Sequence, residues 1–147
     1  MNKKGFTLIE LLVVIAIIGL LSTLAVVALS SARTKARDSK RLSDLKQLQT
    51  ALELYYTDKN GYPAAATAIT LGGTSYNCLG SNGIAAIASC GTTKYMGLVP
   101  SDPGSYSYSY VSAASTTFTI TAQLEGTVNG LTGNIYVTPN GISTTST

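Results

Sequence analysis

KKGFTLIELLVVIAIIGLL, residues 3–21, consists of two lysines and a glycine followed by an apolar run that holds one carboxylate, Glu10. From Leu11 to Leu29 the chain has no charged residue, and this length is close to the ~20 residues that a membrane-spanning helix needs. A charged side chain at the centre of a bilayer costs about 2.5–3.5 kcal/mol on insertion scales. Glu10 therefore requires a partner or a function.

The residues after this run favour a retained helix over a cleaved signal peptide. ALSSA at residues 28–32 is similar to a signal-peptidase site, but residues 33–59 contain no Pro or Gly and keep a helical period. One face is apolar, and most polar residues fall on the other side. The apolar face holds Leu42, Leu45, Leu48, Leu52, Tyr55 and Tyr56, and the polar side holds Asp38, Lys46, Gln47, Glu53 and Lys59. We expect one helix from Phe6 to Lys59, apolar in its first half and amphipathic in its second, ending at Asn60-Gly61.

The remainder of the chain predicts a loop and then a sheet. Residues 64–104 are rich in Ala, Gly, Ser and Thr, which is typical of a long loop, with a short helix near residues 84–88. Three later stretches alternate with the period of a strand, namely SYSYSYV (105–111), TFTITAQL (117–124) and GNIYV (133–137). These features predict an α+β fold in which the amphipathic half of the helix packs on a small antiparallel sheet.

The composition argues against an enzyme. The 147 residues include no His and no Trp, and the two cysteines, Cys78 and Cys90, do not form a CxxC pair. The chain also contains no phosphate-binding glycine loop, so we expect no catalytic residues, cofactor or metal. Residues 1–60 hold nine of the ten Lys and Arg, so the net charge of +3 reflects one segment. Such a distribution says little about nucleic acid.

The segment KKG-FTLIELLVVIAIIGLL resembles the N-terminus of type IV prepilins and type II secretion pseudopilins. LELYYTDKNGYP is similar to the helix end of major pseudopilins, and VPSDPGSYSYSY is similar to their DPWG-x-x-Y-x-Y segment, without its Trp. The resemblance implies that a prepilin peptidase cuts between Gly5 and Phe6 and that Phe6 is then N-methylated. It also implies that Glu10 pairs with the N-terminal amine of a neighbouring subunit during assembly. A partly hydrated glutamate at the membrane edge is the simpler alternative.

The resemblance divides the chain into five segments. They are a leader (1–5), a membrane and assembly half of the helix (6–30), an amphipathic half (31–60), a connecting loop (61–104) and a sheet with a C-terminal tail (105–147). The implied function is a structural subunit of a type IV pilus-like filament. The alternatives are the major pseudopilin of a type II secretion system and a DNA-uptake pilin, although we expect no direct nucleic-acid binding because assembly would hide the basic residues.

The implied partners are other copies of the chain, the prepilin peptidase, the inner-membrane assembly machinery and, before assembly, membrane lipid. The precursor would cross the inner membrane once, with its globular part outside, and then join a periplasmic or extracellular filament. The basic residues that follow the span favour the opposite orientation when counted alone, and we give the resemblance precedence. These residues are Arg33, Lys35, Arg37, Lys40 and Arg41.

An extracytoplasmic location would permit a disulfide between Cys78 and Cys90, and two buried free thiols are the alternative. Major pseudopilins often bind calcium through an aspartate-rich C-terminal loop. This chain has no Asp after Asp102, so we expect no calcium site. The alternating tyrosines Tyr106, Tyr108 and Tyr110 favour a packing face over an adhesive one.

Overall fold

The computed structural model describes residues 5–145, and the chain divides into two compact units between Thr34 and Lys35. The basic leader residues Lys3 and Lys4 and the last two residues of the predicted tail lie outside the described residues. One helix, α1 (Leu8–Lys59), contains residues of both units. Its last residue is followed by Asn60 in the left-handed conformation (φ 54°), which ends the helix at the predicted place.

The first unit contains the apolar half of α1. The large apolar side chains of residues 6–29 are between 48% and 88% exposed. By length and composition this part of the helix can cross a membrane. The helix continues through Gly19 without a break.

The second unit packs residues 35–59 of α1 against a five-stranded antiparallel sheet in the order β1-β5-β6-β7-β8. The strands are β1 (Ala65–Thr70), β5 (Ser109–Ser112), β6 (Thr119–Val128), β7 (Leu131–Thr138) and β8 (Gly141–Ser143). The helix contributes Leu45, Leu48, Ala51 and Leu52 to the core. The sheet contributes Tyr110, Ile120, Ala122, Leu124, Ile135 and Val137, and Tyr108, directly before β5, joins them. The predicted α+β fold, a long apolar N-terminal helix with an antiparallel sheet, is confirmed.

The stretch predicted as a long loop contains regular structure. A second sheet, in the order β3-β2-β4, is formed by β2 (Cys78–Gly80), β3 (Gly83–Ala85) and β4 (Lys94–Met96). The short helix expected at residues 84–88 is instead the end of β3 followed by a 3₁₀ turn at Ile87–Ser89. Three-residue strands have no room for an alternating pattern, and here β2 and β3 form a hairpin across Ser81 and Asn82 to which β4 is added along the other edge of β2.

Two further expectations differ in detail. Asp38, predicted on the polar side of the helix, is fully buried, because it bonds to backbone groups of β6. The strand expected at residues 105–111 is limited to β5, which leaves Tyr106 38% exposed before the strand begins. Tyr108 and Tyr110 are buried, and the Tyr110 hydroxyl donates to the Pro63 carbonyl at 2.8 Å. Those two tyrosines form a packing face, as predicted.

Candidate functional site

The N-terminal site begins with a capping interaction around Glu10. The Thr7 backbone N–H and hydroxyl both donate to Glu10 Oε2, at 2.8 and 2.7 Å. The Glu10 backbone N–H donates in return to Thr7 Oγ1 at 3.3 Å. This reciprocal pair is a capping box, which satisfies backbone donors at the start of a helix. Sequence reasoning missed this role, although the Thr-x-x-Glu spacing is its usual signature.

The predicted cleavage junction lies next to this cap. Phe6 is 88% exposed, and a Cβ added to Gly5 would meet nothing within 4 Å. The junction is therefore accessible in this chain. Cleavage, methylation and subunit pairing through Glu10 stay predictions.

A second cluster lies on the other half of the helix and centres on Arg41, whose side chain is fully buried. Its guanidinium contacts Asp38 at 2.7 Å, Asp102 at 2.6 and 2.9 Å, and Glu125 at 2.8 Å. Arg37 forms an additional ion pair with Glu125. We call these five residues the Arg41 network.

Three separate elements position the Arg41 network. Asp38 and Arg41 are three residues apart on one face of α1, and Glu125 belongs to β6. Asp102 lies in the loop before β5, where its carboxylate accepts the backbone N–H of Gly104 at 2.7 Å. Asp38 also accepts the backbone N–H groups of Glu125 and Gly126, at 3.0 and 2.8 Å. The network therefore joins the helix, the loop and the strand.

The contacts shift the pKa values of Glu125, Asp102 and Arg41 toward their ionised forms. Hydrogen bonds from Arg37 and then from Arg41 lower the pKa of Glu125 to about 2. Burial alone would raise the pKa of Asp102, but hydrogen bonds from Arg41 and Gly104 leave it below its ordinary value. The hydrogen bond to Asp102 raises the pKa of Arg41 despite the opposing effect of burial. Glu125, Asp102 and Arg41 therefore stay charged near neutral pH, and their ion pairs connect the helix, the loop and the strand.

The same contacts bear on metal binding. Among the described residues no group of three or more His, Cys, Asp or Glu side chains is placed to hold a metal ion. The carboxylates that follow residue 60, Asp102 and Glu125, both bond to Arg41. The Arg41 guanidinium thus occupies the place between these carboxylates where a cation would bind. The absence of a calcium site stays a prediction.

The structure joins Cys78 and Cys90 as a disulfide with a Cα–Cα distance of 5.9 Å. Both cysteines are buried, at 0% and 1% exposure. The bond links β2 to the residue that follows the 3₁₀ turn, and it restrains the segment that sequence reasoning treated as a loop. The oxidised state in the cell stays a prediction.

Sequence reasoning also missed the Arg41 network. It counted Arg37 and Arg41 as basic residues that follow a membrane span and placed Asp38 on the polar side of the helix. One signal was available, because Asp102 and Glu125 are the only acidic residues after residue 60. Isolated carboxylates in an otherwise nearly uncharged segment need cationic partners when they are buried.

Comparison with known families gives two matches that together cover residues 1–26 and 28–134. The first is the prokaryotic N-terminal methylation motif, and the second, which spans most of the chain, is type II secretion system protein G. The chain belongs to the type II secretion system protein G family. The resemblance seen in the first residues is therefore confirmed and extends into the sheet.

The individual relatives include both a type II secretion system core protein and components of type IV pili. The type II secretion system core protein G of Pectobacterium carotovorum is 44% identical over 63 residues, which cover 43% of this chain and 40% of the relative. The type IV major pilin protein PilA of Myxococcus xanthus is 33% identical over 89 residues, 60% of this chain and 40% of that protein. The type IV wide pilus major component PilA4 of Thermus thermophilus is 43% identical over 72 residues, which cover 48% of this chain and 55% of the relative. No solved structure matches the chain.

These matches support a pilin-like or pseudopilin-like structural subunit, and the apolar helix fits a membrane-anchored precursor. Each of the relatives is matched over less than two thirds of its own length. The identity of the filament and its partners therefore belongs to the proposal that follows.

Proposed function

We propose that this chain is a subunit of a type IV pilus-like filament, which polymerises through the first half of α1 after prepilin peptidase cleaves between Gly5 and Phe6. The observation that carries the proposal is the exposure of every large apolar side chain between Phe6 and Leu29, from 48% to 88%. An apolar surface of this extent is stable only in lipid or against other apolar surfaces. Lipid covers it in the precursor, and the same helices of neighbouring subunits cover it in the filament.

Glu10 supplies the specificity that apolar packing lacks. Cleavage creates a positively charged amine on Phe6, and a carboxylate on a neighbouring subunit attracts this amine strongly where water is excluded. An unpaired charge there is costly, so the pair selects one axial register among many similar packings. The capping box holds the Glu10 carboxylate at the helix start in the free subunit.

The major pseudopilin of a type II secretion system is the second candidate, and the family match over residues 28–134 favours it. Deletion of the gene distinguishes the two roles. Loss of surface filaments with normal protein export supports the pilus. Loss of export of folded proteins, without loss of surface filaments, supports the pseudopilus.

The proposed role is structural, without catalysis or a cofactor, and without direct binding of nucleic acid. Nucleic-acid binding requires an exposed cluster of cations. Arg37, Lys40 and Arg41 are instead ion-paired to carboxylates within the chain. The globular part lies outside the cytoplasm, where the disulfide is stable.

Substitutions at Glu10 and Thr7 separate subunit pairing from helix capping. Glu10→Gln keeps a capping-box side chain but removes the charge, whereas Thr7→Ala keeps the charge and removes the cap, at about 0.5–2 kcal/mol. We expect Glu10→Gln and Glu10→Ala to abolish filaments in electron micrographs, and Thr7→Ala to assemble nearly as the wild type does. Membrane-fraction immunoblots should show equal insertion.

Mass spectrometry is the control for processing in each variant. Every mature chain should begin at a methylated Phe6, so that a failure of assembly is not a failure of cleavage. Wild-type amounts of filament from Glu10→Gln, together with their loss in Thr7→Ala, would restrict Glu10 to a capping role. A mature chain that begins at Met1 or after Ala32 would contradict prepilin processing.

A further inference from the structure

The outer face of the five-stranded sheet, opposite the core, is covered by hydroxyl and amide side chains. Strand register aligns one residue from each strand in a row across this face. The row consists of Thr70, Ser109, Thr121, Tyr136 and Ser143. Adjacent strands in a sheet are about 4.8 Å apart, so the row presents hydroxyl groups at a regular spacing.

A groove of about 310 Å³ lies beside this row. Its lining includes Tyr106, Ser107, Gln123 and Asn134 together with Ser109 and Thr121 of the row. Across residues 5–145, none of the polar side chains of this lining donates or accepts a hydrogen bond within the chain. Their donors and acceptors are therefore available to a ligand.

Two features define the chemistry of such a ligand. The lining contains no charged side chain, and the nearest carboxylate along β6, Glu125, is held by Arg37 and Arg41. The Tyr106 ring, which lies 5.3 Å from the Arg41 guanidinium carbon, is fixed at the edge of the groove. A groove that combines one aromatic ring with uncharged donors and acceptors fits a molecule that has apolar C–H faces and many hydroxyl groups.

We propose that this outer face binds a neutral polysaccharide. The sugar hydroxyls bond to the row of hydroxyls and to the Gln123 and Asn134 amides, and a C–H face of the sugar packs on Tyr106. The absence of charge in the groove disfavours acidic polysaccharides, because no cation in the lining compensates for the desolvation of a carboxylate. This surface shares only Tyr106 with the tyrosine face considered from the sequence, since Tyr108 and Tyr110 are buried in the core.

Isothermal titration of the full chain tests the proposal, with the protein dispersed in a zwitterionic detergent because glycoside detergents would compete. The probes are cellohexaose and N-acetylchitohexaose, with hexagalacturonate as the anionic comparison. We expect at least one neutral hexasaccharide to bind and hexagalacturonate not to bind. Thr121→Val, which removes one hydroxyl while keeping the shape of the side chain, should weaken binding up to about tenfold, as expected for one neutral hydrogen bond.

Gln123→Glu should weaken binding further, because it removes an amide donor and places a charge in the groove. Thr92→Val, which removes an exposed hydroxyl far from β5 and β6 in sequence, is the matched control and should bind within about twofold of the wild type. Near-ultraviolet circular dichroism verifies the fold of each variant. Because binding is measured on dispersed chains, failure of filament assembly leaves this test intact.

Four results would overturn the proposal. One is the absence of heat with both neutral hexasaccharides up to their solubility. Another is equal affinity of Thr121→Val and the wild type, or preferential binding of hexagalacturonate. The last is self-association in sedimentation experiments that Thr121→Val abolishes while no sugar binds, which would assign the face to a second copy of the chain.

Discussion

At the scale of single residues, Arg41 is the most constrained side chain of the second unit. It is fully buried and contacts three carboxylates, two of which are also inaccessible to solvent. A buried ion pair is a poor source of net stability, because the charges lose their hydration. Replacement of only one partner of such a pair is nevertheless costly, since the remaining charge stays buried without its counter-charge. The Arg41 network therefore specifies which face of the helix meets β6.

Replacement of Arg41 tests whether the Arg41 network holds this face of the helix against β6. We expect Arg41→Met to destabilise the second unit by about 3–5 kcal/mol, because Asp38 and Asp102 would remain buried without their cation. Arg41→Lys should be intermediate, because one ammonium cannot reproduce the forked contacts of a guanidinium. Urea unfolding of the full chain in detergent, followed by near-ultraviolet circular dichroism, measures both. The exposed Lys35→Met is the control, and equal stability of Arg41→Met and Lys35→Met would contradict this role.

Glu125 gives the network a defined dependence on pH. Its pKa is about 2 in the folded chain against an ordinary value of 4.5, so the unfolded state binds its proton first as the pH falls. The contribution of ionised Glu125 to the free energy of unfolding is therefore complete above about pH 4.5 and is lost as the pH falls toward about 2. Asp102, whose pKa is also lowered, adds to the same trend.

Urea midpoints measured from about pH 6 to about pH 2.5 should fall steadily in the wild type. Glu125→Gln should start from a lower midpoint and fall less steeply, because it has no proton to bind at this position. Parallel curves for the two proteins would show that the ion pairs of Glu125 do not contribute to the acid sensitivity.

At the scale of elements, the small sheet depends on close contact between β2 and the disulfide. A Cβ added to Gly80 would lie 2.0 Å from the Cys90 carbonyl oxygen and 2.7 Å from its Sγ. We expect Gly80→Ala to destabilise the chain by about 1–3 kcal/mol, because the backbone of Cys90 must move. Gly73→Ala is the matched control, since its Cβ would meet nothing within 4 Å and it should change stability by less than about 1 kcal/mol. Thermal unfolding compares them, and equal midpoints would mean that this contact is not tight.

The same elements show what the sequence could predict. The second half of the helix was predictable because its apolar residues recur every three or four positions and residues 33–59 contain no Pro or Gly, and β6 and β7 because their side chains alternate. The strands β2, β3 and β4 have three residues each, which is too short for an alternating pattern. The pairing of β2 with β3 is local, across Ser81 and Asn82, but the pairing of β4 with β2 joins more distant residues that no local pattern reveals. The Arg41 network has the same origin, because Asp102 and Glu125 are far from α1 in sequence and converge only in the folded unit. The capping box of Thr7 and Glu10 is local and could have been predicted.

At the scale of the whole molecule, the two units differ in how they satisfy their apolar surface. The second unit buries its apolar side chains in a core of its own, which includes Leu45, Phe118 and Ile135. The first unit exposes nearly all of them, including Phe6 and Leu8 at 88% and 81%. The chain therefore combines an independently packed part with a helix that requires a lipid or protein environment.

This difference predicts the behaviour of a fragment that contains residues 35–147. The fragment keeps the core, the Arg41 network and the disulfide, and it lacks the exposed apolar residues that precede Leu29. We expect it to be soluble without detergent, to give the near-ultraviolet spectrum of the full chain and to sediment as a monomer. Its unfolding should be cooperative, because one core connects the helix and the five-stranded sheet.

The fragment should also be absent from filaments when it is produced beside the full chain, because it has neither Glu10 nor the apolar helix half. Immunoblots of sheared filaments with an epitope on the fragment measure this directly, and the full chain with the same epitope is the control. Incorporation of the fragment would move the assembly contacts to the second unit. Aggregation of the fragment would show instead that the second unit needs the first half of α1 for its own stability. A soluble monomer that stays out of filaments would locate the drive for polymerisation in residues 6–34, where apolar surface without a partner in the chain is concentrated.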